Sequence, residues 1–138
     1  MASIVGETLK AHWCPQCREF DPELKRFYET VNGGGEKRFE IVFVSSEESE
    51  AATNETHNKY HGDWLAVPYG SSLRNELKRK FGVCAGKEQA AVKVNPRRSG
   101  IPTLLVLKED GSELTIDGAS EISSGVKAFE SWLKASGR

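Results

Sequence analysis

The chain has 138 residues, with 19 Lys and Arg against 20 Asp and Glu, a net charge of −1. That length is one domain's worth and can bury a core without disulfide staples. Balanced charge argues against nucleic acid or an anionic membrane surface as the partner, and no run approaches the roughly 18 apolar residues of a membrane span.

Met1 to Glu7 has neither the basic start nor the apolar run of a signal peptide, which points to the cytosol or nucleus. Three cysteines are too few, and odd in number, for a secreted disulfide scaffold. In a reducing compartment a close cysteine pair is more often catalytic or metal-binding than structural.

Ile4 to Ala11 reads as a strand, weakened by Glu7 and Lys10. It leads into Trp13-Cys14-Pro15-Gln16-Cys17. Phe20, Leu24, Phe27, Tyr28 and Val31 then fall at helical spacing. Pro22 predicts a kinked helix rather than a turn, because Phe20 and Leu24 keep one face across it. Gly33-Gly34-Gly35 is expected to end that helix through a left-handed glycine. Phe39 to Val44 is β-branched and aromatic, a buried strand. Ser46 or Ser49 caps a second helix running to about Tyr60. Trp64 to Tyr69 reads as a loop or short extended piece. Leu73, Leu77 and Phe81 mark a helix from about Ser71, closed by Gly82.

Residues 84–100 break the rhythm. They form an insertion, either mobile or holding a short strand at Val92-Lys93-Val94, since long structureless loops are uncommon inside a domain. Pro102 to Lys108 is a strand. Asp110-Gly111 is a hairpin turn, and Ser112 to Ile116 is the returning arm. Ile122, Val126, Phe129, Trp132 and Leu133 form the apolar stripe of a last helix. Strand, crossover helix and strand in succession imply parallel pairing, with an antiparallel hairpin at the end.

The chemistry centres on Cys14 and Cys17. Cys14 lies where a strand ends and a helix begins. Unpaired N–H groups and the positive end of the helix dipole favour a thiolate there, and a thiolate is the attacking species in disulfide exchange. Cys17 lies one turn deeper, suited to attack a mixed disulfide formed at Cys14. Pro15 sits in the first turn, where its missing N–H costs nothing. A C-x-x-C pair also occurs in zinc sites, but zinc needs a second ligand pair. Cys84, His12, His57 and His61 supply no tight one, so no metal site is expected. His12 either tunes Cys14 or faces solvent. His57 and His61 read as solvated helix residues. Cys84 is either a regulatory thiol or an inert small residue. Arg97 and Arg98 read as a solvated loop, with an anion contact as the alternative. Proline before the Leu104 to Leu107 run either simply starts a strand or forms a cis bond beside the cysteine pair.

With Trp13-Cys14-Pro15-Gln16-Cys17, Pro22, Trp64-Leu65-Ala66-Val67-Pro68 and Ile101-Pro102-Thr103, the chain resembles the tryparedoxin and nucleoredoxin family. The resemblance implies one α/β domain over residues 1–138 with a thioredoxin-like fold, a central mixed sheet flanked by helices. It implies a protein-disulfide reductase that needs no added cofactor, only its redox-active Cys14–Cys17 pair. Cys14 would attack, Cys17 resolve, and Pro102 would be a cis proline that presents substrate. Trp13, Ile101 and Trp64 would border the substrate surface. Implied partners are protein disulfides such as those of peroxiredoxins, and a dithiol or glutathione-type reductant such as trypanothione. A cytoplasmic or nuclear monomer is expected. The alternative is a nucleoredoxin-like redox-sensing interaction module with little turnover. Gln16, where the family usually has a second proline, and the charges in the first strand depart from the family pattern.

Overall fold

The computed structural model describes residues 4–11, 13–34, 38–47, 49–54 and 64–137. Five strands form one sheet in the order β3-β2-β1-β4-β5. The central strand β1 (Ile4–Lys10) pairs parallel with β2 (Phe39–Ser45) and antiparallel with β4 (Thr103–Lys108). The two-residue β3 (Leu65–Ala66) extends the sheet beside β2, and β5 (Glu113–Thr115) closes the other edge. The parallel, then antiparallel pattern is the one expected from the order of elements.

Side chains along a strand alternate between faces, and the two faces of this sheet hold separate cores. On one face Ile4, Ile41, Phe43 and Leu104 pack with α1 (Pro15–Val31) and α6 (Val126–Ala135) through Leu24, Phe27, Phe129 and Trp132. On the other face Leu9, Val44 and Leu105 pack with Phe81 of α3 (Leu73–Phe81). Gly6 is required on the first face, because a Cβ there would stand 2.8 Å from Phe39 Cζ.

Helix α1 includes Pro22, so residues 17–21 are helix rather than a turn, as the apolar face shared by Phe20 and Leu24 predicts. Its end differs from expectation. Gly33 and Gly34 do not take the left-handed conformation, and Gly35 lies outside the described residues. The helix stops instead at Asn32, whose Oδ1 accepts the N–H groups of Arg38 and Phe39. A side chain that satisfies the incoming strand makes a left-handed glycine unnecessary. Ser49, not Ser46, caps the next helix: its Oγ accepts the Ala52 N–H at 3.1 Å. Helix α2 is described over residues 50–54; its expected end near Tyr60 lies outside the described residues. Gly82 ends α3 in the left-handed conformation, with φ 70°. Gly111 does the same in the hairpin turn, with φ 88°.

Residues 84–100 are not a strand. A 3-10 turn at Gly86–Glu88 leads into the short helix α4 (Gln89–Val92), and Lys93 ends it with φ 62°. Ala90-Ala91 favours helix, and the Val94 N–H closes back on the Gln89 carbonyl at 3.2 Å. Val92 and Val94 therefore bury against Cys84 rather than pairing in the sheet. A bridge between Val83 and Ser99 joins the two ends of this segment. The last apolar stripe is also divided: after the short helix α5 (Gly118–Glu121), Ile122 lies in a separate 3-10 turn, and Gly125 (φ 63°) intervenes before α6. Among the described residues no helix is long and apolar enough to cross a membrane.

Candidate active site

The site is assembled where β1 gives way to α1. The Cys14 N–H bonds the Ala11 carbonyl at 3.2 Å, so the chain turns tightly into the helix. Cys14 is the N-cap residue, with extended backbone, and Pro15 follows in the first turn. Its Sγ accepts the Cys17 N–H at 3.3 Å, one of the N–H donors a helix start leaves without an internal partner. The sulfur that begins the helix is therefore held against the positive end of the helix dipole.

Both cysteines are free thiols. Cys14 is 4% exposed and Cys17 1%, so Cys17 is the deeper of the two. The Cys14 S–H lies 3.7 Å from Gln16 Oε1 and 3.9 Å from the Ile101 carbonyl. Gln16, the residue that departs from the family's second proline, thus touches the candidate nucleophile directly. Burial, followed by the contact with Cys14, pushes the Cys17 thiol well above the ordinary cysteine range.

The Ile101–Pro102 peptide is cis, as the resemblance implies. It stands at the head of β4, and its Ile101 carbonyl faces Cys14. Thr103 Oγ1 bonds the Gly100 carbonyl and Ser99 Oγ, which holds this turn in place. A second cis bond, Asn95–Pro96, was not anticipated.

Trp13 is 37% exposed beside Cys14. Its indole N–H donates to the Ser46 carbonyl at 3.2 Å, and Lys87 Nζ sits 3.8 Å above the ring. The 84–100 segment therefore reaches the active face through Lys87. It is tethered there by Glu88, whose carboxylate accepts from Lys78 Nζ at 2.6 Å, Ser46 Oγ at 2.5 Å and the Ala85 N–H at 2.8 Å.

Trp64 departs from expectation. It is only 6% exposed and packs edge-on against Tyr28 at 5.3 Å, inside the core. A ring enclosed this way contributes packing, not contact with a docked substrate. Its neighbour Leu65 is the exposed residue of that stretch, at 59%. Arg97 and Arg98 are engaged rather than simply solvated: Arg97 bonds the Cys84 carbonyl, and Arg98 grips Glu113 with two bonds at 2.7 and 2.8 Å. Cys84 is fully buried, and burial and the Glu88 carboxylate push its thiol up. Those surroundings favour the inert reading of Cys84. His12, His57 and His61 lie outside the described residues.

Sequence reasoning missed one part of the site. Lys10 does not weaken β1; it is fully buried at the strand's end, and its Nζ bonds Asp21 Oδ1 at 2.7 Å. Asp21 lies on α1 one turn beyond Cys17. The ammonium also sits 5.2 Å from the centre of the Phe43 ring and 5.5 Å from that of Trp64. Burial lowers the proton affinity of Lys10, while Asp21, Cys17 and Glu47 oppose that effect. A lysine in a central strand was the signal that a buried partner had to exist.

A strand–C-x-x-C–helix unit in a mixed sheet, facing a cis prolyl bond, defines a protein of thioredoxin-like fold. Residues 3–113 match the family described as thioredoxin-like, and the chain belongs to that family. It is 38% identical to nucleoredoxin of Danio rerio over 123 residues, covering 87% of this chain and 25% of the relative. The chain thus spans about a quarter of the nucleoredoxins it matches. A thioredoxin structure from Wuchereria bancrofti is 40% identical with a TM-score of 0.72, over 97% of this chain and 82% of that one. A structure of tryparedoxin II complexed with glutathionylspermidine is 26% identical with a TM-score of 0.69, over 92% of this chain and 77% of that one.

Proposed function

We propose that the chain is a thiol–disulfide oxidoreductase of tryparedoxin type acting on protein disulfides. The observation that carries this reading is the N-capping Cys14 sulfur, bonded to the Cys17 N–H and facing the Ile101 carbonyl. The Cys14 thiolate attacks a substrate disulfide R–S–S–R′. A Cys14–S–S–R bond forms, and R′–S⁻ leaves and takes a proton from water. Cys17 then attacks Cys14 Sγ, the Cys14–Cys17 disulfide forms, and R–S⁻ is released. The substrate gains two electrons and the pair loses two. A small dithiol or glutathione-type thiol restores the pair, a role supported by the likeness to a tryparedoxin seen with glutathionylspermidine. Peroxiredoxins are the proposed protein substrates. Insulin reduction with dithiothreitol as donor tests the reading. Wild type should precipitate insulin well above the donor's own rate, and Cys14→Ser should not. Equal rates for the two would overturn it.

A second reading, a redox-sensing module, draws on the match to a part of nucleoredoxin and on Lys87 covering Trp13. Turnover of several unrelated disulfides at ordinary thioredoxin-like rates would count against it.

A further inference from the structure

Resting on the dithiol reading above, we propose that Lys10 and Asp21 are positioning residues for Cys17: the buried ammonium stabilises the thiolate Cys17 must become, and Asp21 holds and partly offsets that ammonium. Nothing in the motif itself calls for such a pair. Lys10 closes β1, and Cys17 and Asp21 sit one turn apart on α1. Residues at that spacing share one helix face, with Cβ atoms about 5–6 Å apart. The 2.7 Å bond to Asp21 therefore fixes the Lys10 ammonium on the same helix face as Cys17. No water screens it there: Lys10 is 0% exposed and roofed by Phe43 and Trp64. The charged and titratable groups that face Lys10 are Asp21 and Cys17 from α1 and Glu47 just beyond β2, and those that act on Cys17 include Cys14 and Asp21, which both push its thiol up. Lys10 is the cation among three acidic groups.

The resolving step defines what the pair does. Cys17 loses its proton to water, its thiolate attacks Cys14 Sγ, the Cys14–Cys17 bond forms, and the Cys14–S–R bond breaks. Cys17 starts from a strongly disfavoured thiolate. A unit charge at roughly 6 Å, with an effective dielectric of ~20, moves a thiol's proton affinity by about two pH units. A more basic thiolate is a better nucleophile, which recovers nearly half of the loss, so removing Lys10 should slow resolution on the order of tenfold. Asp21 acts with the opposite sign. Its removal leaves Lys10 to Cys17 and Glu47, so Cys17 should ionise more readily.

Reduced protein in a Cys84→Ala background, mixed with 5,5′-dithiobis(2-nitrobenzoate), releases nitrothiobenzoate in two steps. The first reports attack by Cys14 and the second resolution by Cys17. Lys10→Met should leave the first step within about twofold and slow the second on the order of tenfold, with its pH profile moved upward. Asp21→Asn should speed the second step and move its profile downward. Lys10→Met/Asp21→Asn should fall between the two. Both single variants remove one partner of a buried pair, so a purely structural role would move both in one direction. The same direction of shift in both, or no shift in either, would overturn the proposal. Should Lys10→Met fail to fold, an unmoved or upward-moved profile in Asp21→Asn overturns it alone. Loss of the first step in the parent protein would instead refute the dithiol reading.

Discussion

Glu7 is a carboxyl group in the central strand, covered on both sides by sheet. Its cross-strand neighbours are Val42 and Leu105, and its Oε1 has no hydrogen-bond partner. Burial pushes its pKa up from 4.5 to about 7, opposed only in part by Lys80 on α3. The folded state therefore binds the Glu7 proton more tightly than the unfolded chain does. Below about pH 4.5 the group is protonated in both states and carries no penalty. As pH rises from 4.5 to about 7 the folded state still holds the proton and the unfolded chain does not, so stability falls. Above about 7 the loss is complete. The interval between 4.5 and about 7 corresponds to about 3 kcal/mol. For a chain of this length that is roughly 10 °C in Tm. Glu7→Gln carries a neutral amide of the same shape, so it should melt near wild type at pH 4.5 and roughly 10 °C higher at pH 8. Thermal melts of both proteins across that range measure the difference, in which the contributions of all other groups cancel. A difference that stays constant with pH would refute the reasoning.

Three further outcomes follow from the same structure. Glu88→Ala strips the fully buried Lys78 ammonium of its 2.6 Å partner, so urea unfolding should show a loss of about 3–5 kcal/mol; adding Lys78→Met should return much of it. Gly118→Ala would set a Cβ 2.6 Å from the Leu104 carbonyl oxygen, a backbone clash that should cost about 1–3 kcal/mol by the same assay. Cys17→Ser should accumulate a Cys14 mixed disulfide with its substrate, visible by mass on the intact protein and released by dithiothreitol.

The parts of the fold legible in the sequence were those encoded by short-range pattern. The stripe from Phe20 to Val31, the β-branched and apolar runs of β2 and β4, and the Asp110-Gly111 turn each act through neighbours a few residues away. The cysteine pair was legible for the same reason, since one helix start holds all of its geometry. What escaped was set by contacts distant in sequence. Lys10 read as a defect in β1 because its partner Asp21 lies on another element, 11 residues on. Trp64 read as a surface residue because its motif is associated with the active face, yet Tyr28 and Lys10 enclose it. Val92 and Val94 suggested a strand, but they bury against Cys84, and the helix of Gln89–Val92 prevails locally.

The bridge between Val83 and Ser99, with the Arg98 N–H bonded to the Gly82 carbonyl at 2.7 Å, brings the entrance and exit of the intervening excursion side by side. That closure helps to fix the path from α3 to the Pro102 turn. Lengthening a closed loop adds only about 0.6 kcal/mol for each doubling. Outside Lys87 and Glu88, which reach Trp13, Ser46 and Lys78, the chain between Cys84 and Arg97 can therefore change length at little cost in closure entropy. This is a position where relatives with one reaction centre can diverge in the surface they present beside it.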